Sequence, residues 1–379
     1  MVASIDIGTN TCLLLIAQKD ETGTLRVIRE EQRVPRLGRG VDVGRSLHPD
    51  SMARVVEALK EYKTMIEAAS ARYGIAQITP VVTATSAVRD ASNRDAFMEM
   101  VKNQTGWDIR LLSGDEEAMA TFKGALGALP STLTSKYENA LVLDIGGGST
   151  ETALGKTPKK SSPSIPVDTV GTVDTVDTVD TVDTVDTVDT VDTVDTVDTV
   201  DTVDTVDTAL TYKSVDAGCV RFTERWLRNP EARENDESDS TYVPSPDQIE
   251  ACQKDAVKEF SQIESIKEQV KSKRAAGRRI CAVGVAGTVT SLAYMHLGLK
   301  ESYDSDVING TVLSRKDIKK WLEYGSTTSP EQMTLDYPEV MTGRADIVLA
   351  GLIILDAFMD MMEIEAMVVS TGGIRHGVV

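Results

Sequence analysis

Residues 140–155 read ALVLDIGGGSTETALG: an apolar run ending in an acid, three glycines, two hydroxyls and a second acid. Leu141, Val142 and Leu143 predict a short buried strand, which leaves the Asp144 carboxylate at its end, where it can point into a cleft. Gly146, Gly147 and Gly148 then turn the chain. With no Cβ to hold a ligand off, their N–H groups can approach and bond phosphate oxygens, with the Ser149 and Thr150 hydroxyls beside them. Glu151 to Leu154 alternates on the way back, so the element reads as a hairpin. A P-loop or a dinucleotide fingerprint needs a helix after its glycines, and neither GxxxxGK[ST] nor GxGxxG spacing is present here.

The same device opens the chain. Val2 to Ile5 is mostly apolar, Asp6 ends the run, Gly8-Thr9-Asn10-Thr11 turns it, and Cys12 to Ala17 returns as an apolar strand. One DxG is usually an ordinary hairpin turn. Repeated at two strand ends, it predicts an internal duplication, with two similar lobes each offering one loop to a shared cleft.

Between these hairpins, residues 49–73 carry apolar side chains every three or four positions and predict an amphipathic core helix starting at His48-Pro49-Asp50-Ser51. Ile78 to Ala84 reads as a strand leading into Thr85-Ser86-Ala87-Val88-Arg89, where the Arg89 guanidinium can clamp phosphate oxygens in a fork that lysine cannot imitate. In LLSGDEEA, residues 111–118, Ser113 followed three residues later by Glu116 fits a capping box, which gives Glu116 a structural role. Glu117 lies about 100° further round the helix and is free to face the cleft.

Further on, a third glycine-rich turn, Gly284-Val285-Ala286-Gly287-Thr288, follows a strand and opens a helix. Its free N–H groups suit an anion, so Gly287 and Thr288 are candidate phosphate contacts; tight helix packing explains the same residues equally well. A charged helix is expected from Pro246 to Lys273. A long apolar helix follows Gly343-Arg344-Ala345-Asp346 through Phe358, and Ala366 to Ser370 is a final strand.

The chain has 379 residues, enough for two cores. Its net charge of −19 includes thirteen aspartates between Val167 and Thr208 with no basic residue among them, which leaves −6 for the rest. Nothing in this balance suggests general nucleic-acid binding, which would want a basic face, so a polyanionic ligand must be handled locally. Cys12, Cys219, Cys252 and Cys281 are scattered with no metal-binding spacing, and read as buried free thiols of a reducing compartment. The longest apolar run near the N-terminus is too short to span a bilayer or to serve as an export signal, so a cytoplasmic location is expected.

Seven ordered motifs carry a resemblance: DIGTNT at 6–11, TATSAVRDASN at 83–93, LLSGDEEA at 111–118, LDIGGGSTE at 143–151, DAGCVRFTERWL at 216–227, VGVAGTVTSLA at 283–293 and GRADIVLAG at 343–351. Together they resemble the exopolyphosphatase and guanosine pentaphosphate phosphatase family, Ppx/GppA, of the short, two-domain type. The resemblance implies the α/β two-lobed actin-like and sugar-kinase-like ATPase fold, built of duplicated ribonuclease-H-like domains. The first lobe would span 1–128, closed by 370–379, and the second 129–369, with an insertion at 157–209.

It also implies a Mg2+-dependent hydrolase that removes a terminal phosphate from inorganic polyphosphate or guanosine pentaphosphate. By the resemblance Glu117 is the base that activates the attacking water, while Asp6, Asp144 and Glu151 hold the metal. Gly8 to Thr11, Gly146 to Thr150 and Arg89 grip phosphate. The rival readings are an ATP-dependent kinase or ATPase on the same fold and a non-catalytic nucleotide sensor. No nucleic-acid polymer or membrane is expected as a partner, and a homodimer remains open.

The chain departs from the family pattern at two places. Val-Asp-Thr repeats from Val167 to Thr208, where relatives need only a short turn. A period of three with one negative charge per repeat fits neither a helix face nor a strand, and predicts a solvated, largely disordered insertion. Near the C-terminus, Arg375-His376-Gly377 stands where relatives carry Arg-Glu-Gly.

Overall fold

The computed structural model describes residues 1–21, 23–158, 210–231, 240–300 and 302–379. The expectation for the Val-Asp-Thr tract lies outside the described residues.

Two mixed sheets carry the fold. The first joins β1 (Val2–Ile7), β2 (Cys12–Lys19), β3 (Leu25–Arg33), β4 (Val81–Ala84) and β5 (Ile109–Leu111) in the order β3-β2-β1-β4-β5. The second joins β6 (Asn139–Ile145), β7 (Thr150–Lys156), β8 (Thr211–Val215), β9 (Ile280–Val285), β10 (Val312–Ser314) and β11 (Ala366–Val369) in the order β10-β11-β9-β6-β7-β8. In each, an antiparallel three-strand meander opens the sheet and two parallel strands extend it: β4 and β5 beside β1, β9 and β11 beside β6. The internal duplication read from the two DxG hairpins is therefore a duplication of whole sheets, with β10 added at the edge of the second.

The central strands are covered on both faces, which is why β1 and β6 read as nearly continuous buried runs while edge strand β3 alternates with exposed charge. Apolar side chains of β1, β2 and helix Pro49–Arg72 build the core of the first sheet. Helix Ala345–Met361, buried on nearly every face, anchors the larger core of the second. No helix among the described residues is long and apolar enough to cross a membrane. All four cysteines are buried and free.

Several expected boundaries move. The strand before Arg89 begins at Val81 rather than Ile78, because Pro80 has no N–H to give a ladder. The expected 246–273 helix is two, Pro246–Phe260 and Glu264–Ala275, joined by a tight turn at Ser261–Ile263 whose Ile263 is buried in the core. Arg89 sits on a short helix, Ser86–Asp90.

Helix Gly114–Ala128 starts beyond β5 and crosses to the second sheet, where Gly114 abuts Ser214 of β8. On another face it meets the short helix Ile374–Gly377. That contact is backbone on backbone: a Cβ at Gly124, Gly372 or Gly377 would overlap main-chain atoms of the facing segment. Arg375 pairs with Glu30 of β3 at 2.6 Å, and Ser4 of β1 donates to the Arg375 carbonyl at 2.5 Å. His376 accepts from the Gly373 N–H at 3.3 Å through Nδ1 and lies 3.4 Å from Glu30 through Nε2.

Candidate active site

Four carboxylates come from three kinds of local structure. Asp6 and Asp144 stand near the ends of β1 and β6, and Glu151 lies at the start of β7, directly opposite Asp144. The fourth, Glu117, is delivered by the capping box. Ser113 Oγ accepts the Glu116 N–H at 3.2 Å and Glu116 Oε2 accepts the Ser113 N–H at 3.0 Å, so Glu116 stays outside, paired with Arg110. One residue on, Glu117 is turned inward and is only 5% exposed. Arg89 Nη1 donates to Glu117 Oε2 at 3.2 Å and to the Leu112 carbonyl at 3.0 Å.

Burial, which penalises the charged form, dominates the electrostatics of the cluster. Asp6 is pushed up to about 7 by burial and then by the Asp144 charge, with Arg375 opposing. Glu151 rises to about 7 for the same first two reasons. Asp144 rises to about 6, held back by a hydrogen bond from Thr121 Oγ1 at 2.9 Å. Glu117 is raised well above the carboxylate range by burial and by Glu151, while Arg89 pulls it down.

Asp6 Oδ1 and Glu151 Oε2 are buried without a hydrogen-bond partner among the described residues. No three such side chains there converge as a ready metal cage. Two unpartnered oxygens among buried carboxylates suit a hard divalent cation, which takes oxygen ligands and can fill the rest of its shell with water.

Both glycine loops are anchored through their carbonyls, and in the same way. The Gly146 carbonyl accepts the Cys219 N–H at 3.0 Å, the Gly147 carbonyl accepts those of Val220 and Arg221 at 2.8 and 3.1 Å, and the Gly148 carbonyl accepts Arg221 Nε at 2.7 Å. In the first hairpin the Thr9 carbonyl accepts the Gly38 N–H at 2.7 Å and the Asn10 carbonyl that of Arg36 at 3.1 Å. C=O and N–H point oppositely across a trans peptide. With the carbonyls tied back, the amides of Gly147, Gly148 and Ser149, and those of Asn10 and Thr11, face away from these supports. None of these amides has an acceptor among the described residues. The two loops meet where Thr9 Oγ1 lies 2.9 Å from Ser86 Oγ, with the Thr9 side chain packed on Gly147.

The third loop is different. Thr288 packs on Gly351, and Gly287 lies under the Arg344 guanidinium, which donates to Ser291 Oγ at 3.1 Å. Arg344 is the cation that sequence reasoning passed over. Its own pKa is lowered by burial, and no carboxylate among the described residues lies within ion-pair distance of it. Beside Thr9 and Asn10 opens a cavity of about 510 Å³ whose wall also includes Arg36, Arg39, Met333 and Leu349; the four carboxylates do not line it.

A repeated five-strand core with one acid-bearing hairpin in each copy defines the two-lobed actin-like fold. The chain belongs to the Ppx/GppA phosphatase family, whose model matches residues 15–186 and 204–379. It is 37% identical over 163 residues to exopolyphosphatase 2 of Mycobacterium tuberculosis, an alignment covering 41% of this chain and 48% of that protein. It is 25% identical over 376 residues to the guanosine-5'-triphosphate,3'-diphosphate pyrophosphatase of Pseudoalteromonas translucida, covering 99% of this chain and 58% of that one. The chain thus spans about half the length of these curated relatives. Among solved structures, a Cytophaga hutchinsonii exopolyphosphatase matches with a TM-score of 0.70 at 18% identity, over 100% of this chain and 96% of that one. The Aquifex aeolicus family member matches with a TM-score of 0.64 at 24% identity, over 100% and 95%.

Proposed function

We propose that this chain is a phosphoanhydride hydrolase that releases the terminal phosphate of inorganic polyphosphate, of guanosine pentaphosphate, or of both. The observation that carries the reading is Glu117: a buried carboxylate held by Arg89 and close enough to feel the charges of Glu151, Asp144 and Asp6, in a chain with two loops of amides that have no acceptor among the described residues. In-line attack of water on a phosphoryl group needs an oriented nucleophile and neutralised oxygens rather than covalent help.

Glu117 orients the water and takes its proton. A pKa raised out of the usual carboxylate range brings such a base nearer to neutral pH, where a base is most effective. The amides of Gly147, Gly148, Ser149, Asn10 and Thr11 take phosphoryl oxygens, in a site dry enough for fixed dipoles to act strongly. Arg89 is placed to serve both Glu117 and a phosphoryl oxygen. Asp6, Asp144 and Glu151 would hold Mg2+, directly or through water, and the ion would neutralise substrate charge that these acids otherwise repel. The arginine-bearing cavity beside Thr9 and Asn10 has room for what lies behind the cleaved bond, either further phosphates or a nucleoside.

Phosphate release from long-chain polyphosphate, guanosine pentaphosphate and ATP, measured side by side with Mg2+, tests the reading. Turnover of either of the first two in preference to ATP is expected. Turnover of ATP alone, or of none, sinks it.

A further inference from the structure

Arg221 comes from the DAGCVRFTERWL motif and takes no part in the chemistry above. Its side chain is 7% exposed, and its three nitrogens serve three separate acceptors. Nε donates to the Gly148 carbonyl, Nη1 to Asp42 Oδ1 and Nη2 to Asp90 Oδ2, each at 2.7 Å; Asp216 Oδ1 stands at 3.7 Å.

Each acceptor belongs to a different part of the site. Gly148 is in the second amide loop. Asp42 is on the short helix Val41–Gly44, which follows the 36–40 loop supporting the first amide loop. Asp90 ends the helix that carries Arg89, and Arg89 holds Glu117. Asp42 is further shared with Arg225, which reaches Asp255 at 2.8 Å. If only packing were needed, apolar side chains would fill this place at least as well, since buried ions are costly to desolvate. What a planar guanidinium adds is three fixed directions at once, which one ammonium does not reproduce.

We propose that Arg221 is a positioning residue for phosphoryl transfer: it keeps the Gly147 to Ser149 amides in register with Arg89, and through Arg89 with Glu117. The inference rests on the hydrolase reading. The loops it aligns touch at this point, where Gly148 leaves no room for a Cβ against Ser86, so a small shift on either side changes the space between amides and base.

The test is Arg221→Lys in the full chain, with phosphate release measured and thermal midpoint followed in parallel. Misregister of about 1 Å should lower kcat by up to a hundredfold, with KM changed little because each loop still binds. A kcat per folded molecule that is unchanged, or a KM that rises in step with the fall in kcat, overturns the proposal. Should Arg221→Lys fail to fold, Asp90→Ala removes only the acceptor beside Arg89, and the same two readings apply to it.

Loss of all phosphate release in the unsubstituted chain would sink the hydrolase reading instead. Register is then read by amide hydrogen exchange: faster exchange in Arg221→Lys at both 86–90 and 146–149 supports the alignment, and a change confined to 218–222 overturns it.

Discussion

Asp144 and Glu151 face each other across β6 and β7 as a directly paired couple of buried carboxylates. Like charges in that relation oppose folding, and here desolvation adds to the repulsion. The hairpin turn, the Thr121 hydroxyl on Asp144 and the Ser214 hydroxyl on Glu151 at 2.7 Å hold them together nonetheless.

Removing one charge of this couple should therefore stabilise the protein while disabling it. Glu151→Gln keeps an acceptor for Ser214 and, without divalent metal near pH 8, is expected to gain about 1 kcal/mol. Calorimetry with and without Mg2+ checks this: the variant should melt higher without the ion, lose the ion's stabilising effect and release little phosphate. A lower midpoint in the metal-free variant would show that the acid is structural.

The cluster also sets a pH dependence. Asp6, Asp144 and Glu151 have native pKa values raised to about 7, 6 and 7. Between their ordinary values and these, the native state holds more protons than the unfolded chain. Their contribution to stability is thus full at low pH and is lost as pH rises through about 6 to 7. His376 runs the other way, since burial lowers it to about 4, so its effect is confined below its ordinary 6.5. Melting should accordingly fall between about pH 6.5 and 8.5 without metal, less steeply in Asp6→Asn, and Mg2+ should flatten it. A metal-free midpoint that rises over that range contradicts the assignment.

The two adjacent glutamates separate mechanism from scaffold. Glu117→Gln keeps the shape and removes the base, so turnover should drop by about a hundredfold or more while substrate still binds. Glu116→Gln can still complete the capping box, and should shift stability by no more than about 1 kcal/mol with activity largely kept. An inactive Glu116 variant beside an active Glu117 variant would reverse the assignment.

Arg89→Lys retains the charge, but the one ammonium would have to replace Nη1, which donates to both Leu112 and Glu117, and it leaves no second nitrogen for a phosphoryl oxygen. Weaker phosphate binding, seen as a raised KM, is expected, with lowered turnover as Glu117 loses its orientation. Steady-state kinetics that match the parent's would dismiss Arg89 from the site.

What the sequence disclosed was short-range. A DxG turn with an alternating return spells a hairpin within about a dozen residues, and a capping box fixes the facing of Glu116 and Glu117 within four. What it withheld depends on residues far apart in the chain. Arg221 meets Asp42 and Asp90 across 179 and 131 positions, and Thr121 meets Asp144 across 23. Arg344 stood in a quoted motif, but that it has no ionic partner among the described residues, and sits over Gly287 beside Ser291, is visible only in the fold. The third glycine turn left packing and anion binding equally open because the neighbour that fills it, Gly351, belongs to a distant helix.

The glycine-on-glycine seam between helix Gly114–Ala128 and residues 372–377 places a time order on the working site. The helix that carries Glu117, and through Thr121 steadies Asp144, finds its closest backbone neighbour some 250 residues downstream. On a ribosome adding roughly 5–20 residues per second, that face would wait tens of seconds at the slow end of this range for its partner. Both sheets' hairpins can form well before then. The site that needs them together is finished only when Gly372, Gly373 and Gly377 emerge, so a nascent chain stalled before these residues would hold four clustered acids with no seam to lock their helix in place.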